Sequence, residues 1–495
     1  MLKTIRITLA TLFFVGITLL FLDFTGTAHR WLVWMSEIQF LPAVLAMNMV
    51  VVVALVVLTL IFGRIYCSVI CPLGVFQDLA GWLGKKRKKN RYSFSKELPW
   101  LRYPALVLFI VAFVAGIGVV WQLLAPYGSY GRMVTMLLQP VVKWVNNGLA
   151  LLAERMDSYA FYHVDVLIPS FGVVTAIAAL TFIILGGLAW RNGRTYCNTI
   201  CPVGTVLSFL ARFSLLKVRF DQEKCRDCSL CTKNCKSACV DFKNHQVDYS
   251  RCVVCGDCIA ACKFGALKYR SNRSNRSNRN NQSNQNNQSS RRSFLFSSAL
   301  LATAALAREK KKVDGGLAVI EEKAIPQRST PLCPPGSLSL KHLADNCTGC
   351  QLCVSDCPND VLRPSSDFLH LMIPTMSYEK GFCRPECTRC SEVCPTNAIL
   401  PINPAEKSSI QIGHAVWVKK NCIVLTDGVN CGNCARHCPT GAIEMVPADP
   451  NDDESPFVPA VNKAVCIGCG ACENLCPARP FPAIYVEGHE VHREI

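Results

Sequence analysis

The segment Gly63-Arg64-Ile65-Tyr66-Cys67-Ser68-Val69-Ile70-Cys71-Pro72-Leu73-Gly74 returns further along the chain as Gly193-Arg194-Thr195-Tyr196-Cys197-Asn198-Thr199-Ile200-Cys201-Pro202-Val203-Gly204. Both copies follow an apolar stretch and are entered from the same direction. A C-x-x-x-C spacing places two sulfurs on one helical face, and the proline suits the first turn of a new helix. Each copy therefore reads as a break between a membrane span and an interfacial helix, with Cys67, Cys71, Cys197 and Cys201 able to meet across a pseudo-twofold axis. Duplicated cysteines in identical frames are hard to explain by packing alone. They are expected to form a redox-active thiol pair or a metal or cluster site, and spacing leaves that choice open.

Working outward, four apolar stretches reach about 20 residues, enough to cross a hydrocarbon core of about 30 Å. They run roughly over 5–24, 41–62, 103–124 and 168–190. Cytoplasmic loops retain Lys and Arg. Arg64, Lys85, Lys86, Arg87, Lys88, Lys89, Arg91, Lys96 and Arg102 crowd the loop after the second stretch, whereas the opposite loops carry only Arg30, Arg132, Lys143 and Arg155. Residues 1–220 are thus expected to be a four-span α-helical domain of a bacterial cytoplasmic membrane, with both ends inside. Tyr66, Tyr196, Arg64 and Arg194 are candidates to position a headgroup or to anchor helix ends at the interface.

Composition agrees with this reading. A chain of 495 residues suggests about three domains, and 51% hydrophobic against 18% charged residues concentrates apolar sequence in spans. The net charge of +17 lies beside those spans and in one polar linker, so topology accounts for it better than nucleic acid does. The 30 cysteines fall in tight runs, the habit of metal ligands rather than of a disulfide scaffold.

Two such runs follow the fourth stretch: Cys225, Cys228, Cys231, Cys235 and Cys252, Cys255, Cys258, Cys262. This is the bacterial ferredoxin spacing, in which the fourth cysteine of each run ligates the other [4Fe–4S] cluster. Residues 221–270 are therefore expected to be a cytoplasmic two-cluster domain, pairing Cys225, Cys228 and Cys231 with Cys262, and Cys252, Cys255 and Cys258 with Cys235. Lys236 and Lys263 stand where a proline is usual. An Asn, Ser, Gln and Arg tract, 271–290, reads as a disordered linker. Arg291-Arg292 then opens an Ala-rich apolar stretch ending at Ala307, the form of a twin-arginine signal. Residues 291–307 are read as that signal or as a short fifth span, with cleavage after Ala307 left open.

Residues 308–495 carry four further groups: Cys347, Cys350, Cys353, Cys357; Cys383, Cys387, Cys390, Cys394; Cys422, Cys431, Cys434, Cys438; and Cys466, Cys469, Cys472, Cys476. A periplasmic four-cluster domain is expected, with its cross-pairing unresolved by order alone. The six groups, the four repeat cysteines, Cys239 and Cys333 account for all 30 cysteines. The fold class is thus a helical membrane domain plus two α+β ferredoxin-like domains holding six [4Fe–4S] clusters. No C-x-x-C-H motif, intraspan histidine or G-x-G-x-x-G turn is present, so neither haem nor a nicotinamide cofactor is expected.

On these motifs the chain resembles a fusion of the NapH and NapG (MauN and MauM) types of iron–sulfur quinol dehydrogenase. The first 270 residues carry the repeats and two clusters of the first type. The region from Arg291 carries the signal, a Pro334-Pro335-Gly336 element and four clusters of the second. The resemblance implies oxidation of membrane quinol and relay through the clusters to a periplasmic redox enzyme, the protein serving as an electron-transfer subunit or as the dehydrogenase itself. The alternative is a maturation reductase that passes cytoplasmic electrons outward for metalloenzyme assembly.

Overall fold

The computed structural model describes residues 2–86, 92–158, 160–164, 166, 172–271, 321–451 and 455–495. The expected linker beyond Ser271, the twin-arginine stretch and the basic residues Arg87, Lys88, Lys89 and Arg91 lie outside the described residues.

The N-terminal half is a helical unit. Two helices, Lys3–Leu22 and Val173–Asn192, are long and apolar enough to cross a membrane. The second and third apolar stretches are each broken, which corrects the expectation of four continuous spans. Helix Phe40–Leu45 is separated from Met49–Phe62 by Met47 at φ 55° and by Asn48, whose side chain caps the second helix at Val51 N. Helix Pro99–Val114 gives way to Gly118–Leu124 across Gly116 at φ 70°. The stretch expected as a loop after them is itself helical, Pro126–Met133 and Gln139–Glu154, joined by a π-helical turn over Val134–Leu138.

Each repeat folds back on itself. Gly63 and Gly193, at φ 79° and 72°, adopt a conformation that L side chains resist and reverse the chain into the short helices Tyr66–Val69 and Thr195–Thr199. Helices Pro72–Lys86 and Pro202–Ala211 follow. Pro72–Lys86 does not lie along an interface as expected but packs lengthwise on Val173–Asn192. A Cβ on Gly84 would fall 2.3 Å from Trp190 O, and Phe76 meets Phe182 with ring centroids 5.6 Å apart.

The first cysteine-rich unit is closed by an antiparallel pair, Leu216–Phe220 against Leu267–Ser271, with Val218 opposite Tyr269. Its first strand starts inside the stretch assigned to the membrane domain. Strands Leu362–Pro364 with Pro374–Met376, Ile410–Trp417 with Ile484–Glu494, and Ile443–Pro447 with Phe457–Val461 frame the second unit.

The two units sit at opposite ends of the long helices. Lys3 pairs with Asp257 of the first unit at 3.2 Å, while Phe21 lies against Gly131 where that glycine meets Cys350 of the second. Val174 packs with Leu371 and Met372 of the second unit, and Arg194 N donates to Lys236 O of the first at 2.9 Å. At about 1.5 Å per residue, such a helix separates the units by roughly 30 Å.

Candidate metal centres

The four regular cysteine runs share a backbone device. The residue before the second cysteine, Asp227, Val254, Gly349 or Gly468, has positive φ, and so does the residue after it, Ser229, Gly256, Gln351 or Gly470. The third cysteine then lies in a short helix, as at Leu230–Lys233 and Leu352–Ser355. Alternating backbone handedness curls peptide N–H groups around a concavity suited to an anionic group.

The concavities collect cysteines in fours. Cys225, Cys228 and Cys231 line one with Cys262, and Cys252, Cys255 and Cys258 line another with Cys235, the exchange expected from spacing. In the second unit, Cys347, Cys350 and Cys353 gather with Cys394, and Cys357 lies within electrostatic range of Cys383, Cys387 and Cys390. Cys422, Cys431 and Cys434 gather with Cys476, and Cys438 with Cys466, Cys469 and Cys472. The pairing that order left open is therefore between neighbouring groups, first with second and third with fourth.

These cavities fit a polynuclear centre better than one ion. Among the described residues no quartet has three sulfurs within 4.8 Å of one another, whereas zinc–sulfur bonds of about 2.3 Å would draw them to about 3.8 Å. Backbone N–H groups also point at sulfur: Gly349 to Cys347 at 3.3 Å, Ala266 to Cys262 at 3.3 Å, and Ala483 to Cys476 at 3.2 Å.

The two leftover cysteines separate. Cys239 stands beside the second quartet, its sulfur 3.5 Å from Cys235 Sγ, and this hydrogen bond holds the Cys235 thiol below its usual range. Cys333 is fully buried, and burial pushes its thiol up to about 12.

The repeat cysteines converge as well. Cys67, Cys71, Cys197 and Cys201 are all buried in one core and lie within electrostatic range of one another. The arginines cross between the copies: Arg194 Nη1 donates to Cys67 O at 2.7 Å, and Arg64 Nη2 to Cys197 O at 3.1 Å. Tyr66 donates to Gln39 Oε1 at 3.1 Å and Tyr196 to Leu124 O at 2.9 Å. All four of these tyrosines and arginines are buried, so they build the site's walls rather than anchoring helix ends in an interface.

Sequence reasoning missed the acid that organises this region. Asp78 accepts from Arg194 Nε at 2.6 Å, Arg6 Nη1 at 3.0 Å and Lys236 Nζ at 2.6 Å. Lys236, one of the two lysines in place of proline, is thereby one of the residues that dock the first unit, beside Asp257 and Ser250. Asp78 is the only acid between Glu37 and Glu97, a signal that was available. Arg132, also missed, is buried against the second unit and donates to Gly349 O at 3.2 Å.

Comparison with known proteins follows the same division. A 4Fe-4S binding domain family matches residues 44–91 and 171–221, another of that description matches 245–268, and a 4Fe-4S dicluster domain family matches 429–479. The methylamine utilization ferredoxin-type protein MauM of Methylobacillus flagellatus is 32% identical over 32% of this chain and 70% of its own length. The ferredoxin-type protein NapG of Escherichia coli is 29% identical over 36% of this chain and 82% of its own. The putative electron transport protein YccM of Escherichia coli is 25% identical over 45% and 55%. With its 4Fe-4S domains, the chain belongs to the Nap and Mau type of ferredoxin-type electron-transport proteins.

Proposed function

We propose that the chain is a membrane-bound protein that oxidises quinol and relays the electrons to a redox enzyme outside the cytoplasmic membrane. The six quartets would each hold a [4Fe–4S] cluster, and Cys67, Cys71, Cys197 and Cys201 a further metal or cluster. Such clusters supply one-electron transfer at potentials tuned by hydrogen bonds to sulfur and by burial. The observation that carries the reading is the division of the quartets between two units at opposite ends of the long apolar helices. The chain's own contribution is to fix spacing, exclude water and supply N–H donors to the sulfurs.

The alternative, a maturation reductase drawing on a cytoplasmic donor, is favoured by two contacts. The first unit is seated directly on the repeats, through Arg64 Nη1 to Ser250 O at 2.9 Å and through Lys236 to Asp78. Anaerobic protein in mild detergent, treated with a menaquinol analogue while its iron–sulfur EPR signals are recorded, separates the two. Reduction by quinol alone is expected. Clusters that stay oxidised until a reduced ferredoxin-type donor is added overturn quinol oxidation in favour of the alternative.

A further inference from the structure

Each sulfur of the repeat site is met by a nitrogen donor. Arg64 Nη2 lies 3.8 Å from Cys67 Sγ, Gln77 Nε2 3.2 Å from Cys197 Sγ and Gly204 N 3.3 Å from Cys201 Sγ, and Gly74 N–H donates to Cys71. All four are free cysteines, none more than 5% exposed. Buried thiols pack as small hydrophobes without such donors. Thiolates that ligate a metal are normally held by them.

Charge balance points the same way. Arg64 is fully buried, and its partners are Asn198 Oδ1, Ser250 O, Cys197 O and Cys67 Sγ, none of them a carboxylate. Arg194 shares Asp78 with two other cations. Buried cations lacking counter-charge are costly, and a four-thiolate centre with net negative charge offsets them. Spacing argues against a single ion: among the described residues no three of these sulfurs lie within 4.8 Å of one another, too wide for one zinc ion with sulfurs about 3.8 Å apart.

We propose that Cys67, Cys71, Cys197 and Cys201 hold one iron–sulfur centre, two thiolates from each repeat, and that it bridges the two cysteine-rich units electronically. The proposal rests on the reading of the six quartets as clusters and deepens it. On the first-unit side Arg64 spans from Cys67 to Ser250, two residues from Cys252. On the second-unit side Tyr196 reaches Leu124, and helix Pro126–Met133 carries Arg132 to Gly349, beside Cys350. Without an intermediate centre the units are separated by roughly 30 Å of helix, and tunnelling falls steeply over such a gap. With quinol as the donor proposed above, its two electrons cross the centre one at a time to two equivalents of an oxidised one-electron acceptor docked on the second unit, and its two protons pass to water. The centre itself takes up no proton and forms no covalent bond.

The test uses full-length protein purified anaerobically, as wild type, C71S/C201S and Q77L, with iron analysis, Mössbauer and EPR. The wild type is expected to exceed about 24 irons by about two or four, according to cluster type, and C71S/C201S to lose that excess alone. Q77L is expected to keep its iron but move one signal to lower potential, because a hydrogen bond to sulfur that favours the reduced state is gone; it remains informative if the double variant misfolds. In sealed vesicles, dithionite confined to the first-unit side should reduce second-unit signals in wild type and not in C71S/C201S. Unchanged iron in C71S/C201S, zinc in place of iron, or recovery of the four cysteines as disulfides in wild type would overturn the proposal. A wild-type total far below about 24 overturns the broader six-cluster reading instead.

Discussion

Asp78 shows how much one side chain can organise when its partners come from distant parts of the chain. Arg6 belongs to the first helix, Arg194 to the second repeat and Lys236 to the first cysteine-rich unit, and all three ion pairs close on the one carboxylate. Asp78→Asn leaves the buried Arg6 and Arg194 without their counter-ion and Lys236 with Asp257 alone, at 3.4 Å, a loss of about 3 kcal/mol or more. Lys236→Met should cost clearly less, because Arg6 and Arg194 still neutralise the acid. Thermal unfolding of the two variants, with tryptic cleavage of the first unit as a second readout, checks the order; equal losses would mean that Asp78 does not organise the docking. At this scale the cysteines were readable, since local spacing fixes a ligand run. The partners of Asp78 and of the crossed arginines were not, because no local pattern reports which distant carbonyl or carboxylate a buried guanidinium will find.

At the scale of elements, close approach decides what each turn tolerates. Gly74 and Gly204 follow the prolines of the two repeats, where an added Cβ would lie 2.2 Å from Cys67 O and 2.4 Å from Cys197 O. A backbone oxygen cannot step aside as a side-chain tip can. Gly204→Ala is therefore expected to cost about 1–3 kcal/mol and to make Cys197 and Cys201 accessible to alkylation, whereas Gly187→Ala, with nothing within 4 Å, should be neutral or stabilising by up to about 1 kcal/mol. Mass spectrometry of alkylated protein and denaturation midpoints distinguish the two, and unreactive thiols in Gly204→Ala would refute the packing argument. The apolar stretches were legible as helices, yet their breaks were not. Hydropathy reads straight through Met47 at φ 55°, and the helices after Ala125 were hidden because Gly, Ser and Arg there face protein rather than solvent.

For the whole molecule, the sequence announced separate domains but not that they share a core, in which Phe21 and Tyr127 of the helical unit are buried together with Cys255 of the first cysteine-rich unit and Cys350 of the second. The second unit docks through small residues that let backbones touch. A Cβ on Gly131 would lie 2.4 Å from Cys350 O and 2.7 Å from the Phe21 ring, and one on Gly128 would lie 2.3 Å from Thr348 O. Around them Gln139 Nε2 donates to Ser355 O at 3.1 Å, and His29 Nδ1 lies 3.6 Å from Asp356 Oδ1. An interface held by such contacts should survive cleavage of the connecting chain, which otherwise raises the effective concentration of the second unit at its seat. With a protease site inserted between residues 280 and 290, the wild-type halves are expected to co-purify after digestion. Gly131→Leu should release the second unit, whereas Gly148→Leu, with nothing within 4 Å, should not. Retention of both halves in Gly131→Leu would place the docking surface elsewhere. Release would tie the seating of the Cys347 quartet, and with it any electron path across the helical unit, to a single glycine face.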